Sequence, residues 1–190
     1  MGFALIKPVS EDAYLAAEAA STVKHEFIGN QVHAMAGASE RHNTIAGNLF
    51  AACHGANRGA CRPFIGDMRL RLDGGAVYYY PDVMIVCDAQ DADPMFKTSP
   101  CMIAEVMSPS TAVLDRREKL IAYRKLPTLQ ECLLIAEDDI LVEHYRRANA
   151  GEWGMSGLEA GDILELSCLP LKLPLRTLYD GIAFSTPESG

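Results

Sequence analysis

Two carboxylates set among apolar residues constrain this chain more than anything else in it. Asp82 follows Tyr80-Pro81 and leads straight into Val83-Met84-Ile85-Val86, while Glu105 interrupts the run Met102-Ile103-Ala104-Glu105-Val106-Met107. Both runs are short, bounded by Pro, Gly or Ser and rich in β-branched residues, which predicts buried strands. An ionised carboxylate in an apolar interior is costly unless it is neutralised, hydrogen-bonded or balanced by a cation. Two on neighbouring strands need something positive between them. A divalent metal or a cationic side chain would serve. Oxygen-only ligation by a carboxylate pair suits Mg²⁺ or Mn²⁺ rather than zinc. Such an ion lowers the pKa of a bound water and screens a phosphodiester under attack. Lys119 is the candidate third element, stabilising developing negative charge or orienting the water. Taken singly, Asp82 could simply open a strand at a polar mouth and Glu105 cap a turn; the pair together with Lys119 favours a site.

Charge is the next constraint. The formal net charge of -8 is awkward for a nucleic-acid binder, because phosphate contacts come from Lys and Arg. Its distribution is uneven. From Val113 to Leu126 five basic residues (Arg116, Arg117, Lys119, Arg124, Lys125) face two acids (Asp115, Glu118), beside the proposed site. A solvated helix face is the commoner meaning of such a run.

Several of these residues carry a family likeness. Pro81-Asp82, Glu105-Val106-Met107-Ser108-Pro109-Ser110-Thr111, and Asp115 to Lys119 followed by Tyr123 resemble the Uma family, restriction-endonuclease-like proteins of the PD-(D/E)xK nuclease superfamily. The likeness reaches back to Glu26-Phe27-Ile28-Gly29 and forward to about Tyr145. Pro-Asp alone is a weak signal; the run from Glu105 through Thr111, followed at the right distance by Asp115 and Lys119, is far more specific. The resemblance implies an α/β fold with a restriction-endonuclease-like core, a mixed central β-sheet flanked by helices. In it Asp82 and Glu105 ligate Mg²⁺ or Mn²⁺ and the Val106 carbonyl joins them. Met107 stands where the superfamily motif carries lysine, so the resemblance implies that Lys119 reaches back from the following helix. Glu26 matches an acidic residue ahead of the main motif, as a further ligand or a water-orienting group. His42 matches a family histidine that could hydrogen-bond a phosphate or water, or serve as a cap.

With 190 residues the expectation is one endonuclease-like domain over 1–184 and a mobile polar tail over 185–190. The chain holds no apolar run near the ~20 residues of a membrane span and no signal-peptide pattern at its start, so a cytoplasmic location is expected. The six cysteines (Cys53, Cys61, Cys87, Cys101, Cys132, Cys168) are scattered through apolar segments. They read as small buried hydrophobes in a reducing compartment, not as a zinc site or disulfide frame.

Along the chain, Ser10 caps a helix from Glu11 to Ala20, and His25 to Met35 reads as a hairpin about Gly29-Asn30. A second helix opens at Ser39 and ends near Asn57 to Gly59, with Ile45, Leu49, Ala52 and Cys53 facing a core. Strands follow at Arg62 to Ile65, Met68 to Leu72 and Ala76 to Val86, the last carrying Asp82. Cys87 to Pro100 reads as a surface loop before the Glu105 strand. Ser110 or Thr111 caps a helix from Val113 to about Lys125, on which Asp115, Lys119 and Tyr123 share a face. Two strands, Leu129 to Ala136 and Ile140 to Arg146, extend the sheet. Asn149 to Gly157 reads as a glycine-rich turn, Ile163 to Leu166 as a strand and Leu175 to Tyr179 as a short helix.

The reading is a metal-dependent endonuclease acting on DNA, with a homodimer expected because cutting both strands of a duplex is easiest with two sites about a two-fold axis. The negative net charge and Met107 support the alternative, a nuclease-like fold kept as a non-catalytic binding or self-association module.

Overall fold

The computed structural model describes residues 8–107, 114–148 and 151–184, with the side chains of 114–117 outside that description. The caps assigned to Ser110 or Thr111, the side chain of Asp115 and the tail from Ser185 therefore lie outside the described residues. In order the elements are α1 (Glu11–Ala20), β1 (His25–Ile28), β2 (Gln31–Ala34), α2 (Glu40–Ala56), β3 (Arg62–Ile65), β4 (Arg69–Leu72), β5 (Val77–Tyr79), β6 (Val83–Val86), β7 (Phe96–Lys97), β8 (Pro100–Met107), α3 (Leu114–Arg124), β9 (Glu131–Ala136), β10 (Leu141–Arg147), β11 (Trp153–Glu159), β12 (Ile163–Glu165) and β13 (Lys172–Pro174).

Local chemistry sets the early elements. Ser10 Oγ accepts from the Ala13 amide at 3.2 Å and Ser39 Oγ from the His42 amide at 3.0 Å, so each helix begins at its serine. The β1–β2 turn holds Gly29 at φ 56° and Asn30 at φ 67°, the left-handed pair a tight two-residue hairpin needs.

The strands form a six-stranded mixed sheet, in the order β11-β10-β9-β8-β6-β3, and a five-stranded sheet, β2-β1-β5-β4-β7, with β12 and β13 paired separately. In the first, β8 and β9 run parallel and the other neighbours antiparallel. Its two faces are covered differently. Val83, Ile85, Met102, Ala104 and Val106 pack against Ile45, Leu49 and Cys53 of α2. Met84, Ile103, Cys132 and Leu134 pack against Tyr123 of α3 and against Leu70, Leu72 and Tyr79 of the five-stranded sheet. On the outer side of that second sheet, Tyr14 of α1 stacks on Phe27 at 4.8 Å beside Tyr78.

Three expectations are corrected. Ala76 to Val86 is two strands: β5 belongs to one sheet and β6 to the other, with the change at Tyr80-Pro81-Asp82, where Pro81 has no amide hydrogen to extend a ladder. Trp153 to Glu159 is a strand at the edge of the six-stranded sheet, where its glycines stand mostly in the open. The cysteines do not all stay as thiols: Cys61 and Cys87 are joined in a disulfide, while Cys53, Cys101, Cys132 and Cys168 are free. The loop from Cys87 to Pro100 is also more structured than its composition suggests. It contains β7, parallel to β4, and Asp91 Oδ2 accepts from the Thr98 and Ser99 amides at 2.7 and 2.8 Å.

Candidate active site

Register brings the two acids together. The pairs Met84–Ile103 and Val83–Ala104 make Asp82 stand across from Glu105 one step further along β6 and β8. Facing residues of antiparallel strands share a side of the sheet, and side chains two apart share it too. Asp82 and Glu105 thus lie on the side of Met84 and Ile103, the side covered by α3. Asp82 Oδ2 accepts from the Val106 amide at 2.7 Å, which ties the segment before β6 to the end of β8.

The surroundings of Glu105 are those of a core residue. Its exposure is 7%, and the Tyr123 hydroxyl donates to Oε1 at 2.5 Å. Burial pushes its carboxyl up to about 8; the Lys119 ammonium opposes the rise, Asp82 adds to it, the Tyr123 hydroxyl opposes it and Glu26 adds again. Burial in turn drives the Tyr123 phenol well above its usual value, with Glu105 reinforcing the effect.

Lys119 points inward. Its Nζ lies 2.7 Å from Glu26 Oε1 and 5.4 Å from the centroid of the Tyr79 ring, and its side chain is 13% exposed. Glu26 comes from β1 and Lys119 from α3, so the ion pair spans the gap between the two sheets. His42, in the first turn of α2, sets Nε2 3.1 Å from Asp82 Oδ2. That contact raises its pKa, burial works against the rise, and the charges of Asp82, Glu137 and Glu105 add to it.

All five residues singled out from the sequence, Glu26, Asp82, Glu105, Val106 and Lys119, line one cleft of about 1100 Å³, and His42 and Tyr123 line it as well. Asp82 and Glu105 are the two carboxylates that the strand register sets opposite each other in this cleft. Among the described residues no group of three or more His, Cys, Asp and Glu side chains stands together as a metal cage, so any further ligands would be backbone carbonyls and water. The Tyr123 hydroxyl's hold on Glu105 went unread in the sequence; the spacing from Lys119 put the tyrosine on the right helix face without showing what that face covers.

The model of a family described as Uma2, "Putative restriction endonuclease", matches residues 11–177. The chain belongs to the Uma2 family. Uma2 relatives include the uncharacterized protein slr1290 of Synechocystis sp. (strain ATCC 27184 / PCC 6803 / Kazusa), 33% identical over 178 residues, covering 93% of this chain and 94% of that protein. A second, sll1609 of the same organism, is 36% identical over 163 residues, covering 83% of this chain and 92% of its own. Among solved structures, one titled as a "putative nuclease belonging to DUF820" from Anabaena variabilis ATCC 29413 superposes with a TM-score of 0.76 over 90% of this chain and 98% of that one. At 17% identity the likeness is one of fold. Within this Uma2 fold, no helix among the described residues is long and apolar enough to cross a membrane.

Proposed function

We propose that this Uma2 protein is an endonuclease that hydrolyses DNA phosphodiester bonds, with Asp82, Glu105 and the Val106 carbonyl holding Mg²⁺ or Mn²⁺. The observation that carries the reading is the placement of Asp82, the residue just before β6, across from Glu105 of the adjacent β8, with Lys119 in the same cleft. The donors fit a hard dication: they are oxygens, and one oxygen of each carboxylate is held by a protein donor, Asp82 by the Val106 amide and Glu105 by Tyr123. A carboxyl pushed up to about 8 by burial is also one that a nearby dication would return to its ionised form. When bound, the ion supplies charge screening at phosphorus and a water of lowered pKa.

The chain's own groups supply the rest. Lys119 offers a fixed positive charge, in a low-dielectric cleft, to the negative charge that builds on a phosphate under attack. Its reach across the cleft to Glu26 supports its taking the part that Met107 cannot. Glu26 orients that amine and is an acceptor for a proton from the attacking water. His42 steadies Asp82. Arg124, whose guanidinium lies 5.4 Å from the centroid of the Trp153 ring, and Lys125 just after α3 add positive charge on the same helical segment as Lys119, available to a phosphate backbone. Cutting both strands would be served by two copies about a two-fold axis.

Glu105→Ala decides the matter. It is expected to abolish Mg²⁺-dependent nicking of plasmid DNA while the far-UV circular dichroism spectrum stays native; cleavage at the unmodified rate would end the assignment. A wild-type protein that neither nicks DNA nor melts later in Mn²⁺ is the non-catalytic module.

A further inference from the structure

Five of the six cysteines, Cys53, Cys61, Cys87, Cys101 and Cys168, gather in one apolar cluster at the end of the six-stranded sheet remote from Asp82, and the proposed phosphodiester chemistry uses none of them. We propose that Cys61, Cys87 and Cys101 form a thiol–disulfide exchange site, in which the Cys101 thiol takes Cys87 from Cys61.

The topology presents Cys87 to two partners. On one side, the antiparallel pair Arg62–Val86 makes Cys61 and Cys87 face each other one step on, and there the disulfide bridges the ends of β3 and β6. On the other side β6 pairs with β8, whose second residue is Cys101. The Cys101 Sγ lies 3.3 Å from the Cys87 Sγ. That is the separation at which reacting atoms stand in a near-attack arrangement, and a thiol held there acts at a very high effective concentration. Sulfur is attacked by thiolate through just such contacts.

The site also provides for the group that leaves. The carbonyl oxygen of Cys168 lies 3.7 Å from the Cys61 Sγ and 3.9 Å from the Cys87 Sγ. A thiol released at Cys61 finds a hydrogen-bond acceptor already in place. The step balances without an outside oxidant or reductant: the Cys87–Cys101 bond forms, the Cys61–Cys87 bond breaks, and the proton leaving Cys101 ends on Cys61. Cys53 is fully buried in the same cluster, where burial pushes its thiol up to about 12, and it stays a spectator. Cys132 belongs to the other side of the sheet, among Met84, Ile103 and Leu134, and serves as an internal control.

Exchange would change which strands are tied. In one state the cross-link joins β3 to β6; in the other it joins β6 to β8, the two strands that bring Asp82 and Glu105 together.

Disulfide mapping of the full chain tests this. The native protein is equilibrated in glutathione buffers of graded reduced-to-oxidised ratio, quenched in acid, alkylated and digested, and its cystine peptides are identified by mass spectrometry. Two cystines sharing Cys87 are expected, Cys61–Cys87 and Cys87–Cys101, with Cys132 alkylated throughout. Cys61→Ser is expected to lose the first and place Cys87 wholly in the second; Cys101→Ser is expected to retain the first alone. The wild-type map decides by itself if a variant fails to fold: absence of the Cys87–Cys101 peptide at every ratio overturns the proposal.

Discussion

Tyr123 donates its hydroxyl to Glu105 Oε1 across 2.5 Å, and both side chains are buried beneath α3. Tyr123→Phe keeps the ring against Tyr79 and Ile103 but removes the donor. A hydrogen bond to a charged group is worth about 1.5–3 kcal/mol, and the carboxylate left behind keeps only the Lys119 ammonium to favour its charged form. Chemical denaturation at pH 9 should show a loss of that order, shrinking at pH 5 where Glu105 is protonated. An unchanged midpoint at both pH values would mean the bond contributes nothing.

Burial holds the Glu105 carboxyl at about 8 against 4.5 in the unfolded chain. Between those values the native state carries a proton that the unfolded state has released, so the group's contribution is fully present below about 4.5 and is lost as pH rises through about 8. In EDTA, stability should therefore fall across that window by at most about 1.4 kcal/mol per pH unit. Glu105→Gln, which cannot ionise, should flatten the curve and be the more stable protein at pH 9. Urea midpoints of the two proteins over pH 5–9 check this.

Metal should act in the opposite sense. A dication that binds only the native state adds about 2.7 kcal/mol when its free concentration is a hundred times its dissociation constant. The melting temperature of the wild type should climb with Mn²⁺, and neither Asp82→Asn nor Glu105→Gln should follow it. A parallel rise in all three proteins would place the ion elsewhere.

The Lys119–Glu26 pair is expected to show strong coupling. Lys119→Met leaves the Glu26 carboxylate at 8% exposure facing Glu105 without its ammonium. Breaking a buried pair from one side typically costs about 3–5 kcal/mol; with the two side chains 13% and 11% exposed, the lower end applies. Adding Glu26→Gln should recover much of the loss in a double-mutant cycle, while nicking activity stays absent. Additive losses would show that the two groups act independently.

Much of this was readable because it is local. Ser10 and Ser39 announce their helices, Gly29-Asn30 its hairpin, and the acids stand out because carboxylates seldom interrupt apolar strands without cause. What went unread depends on which strand lies beside which. Nothing between Ala76 and Val86 except Pro81 marks the change of sheet, since both halves are equally apolar. The edge strand Trp153–Glu159 is disguised by Gly154 and Gly157, whose low strand preference an edge position tolerates. The pairing of Cys61 with Cys87 follows from the β3–β6 register, a property of two segments that neither states alone. For the same reason Tyr123 could be put on a helix face with Lys119, but its bond to Glu105 could not be foreseen.

The order of the strands carries a last consequence. Between β2 and β8 the chain passes back and forth from one sheet to the other, at β3, β4, β6, β7 and β8. Two layers sewn together in this way have no seam along which to come apart. Loss of either should drag the other with it in a single cooperative melt, and the many distant pairings required beforehand should make refolding slow. Damage to the five-stranded layer at a point away from Glu26 would then reach the cleft as surely as damage within it.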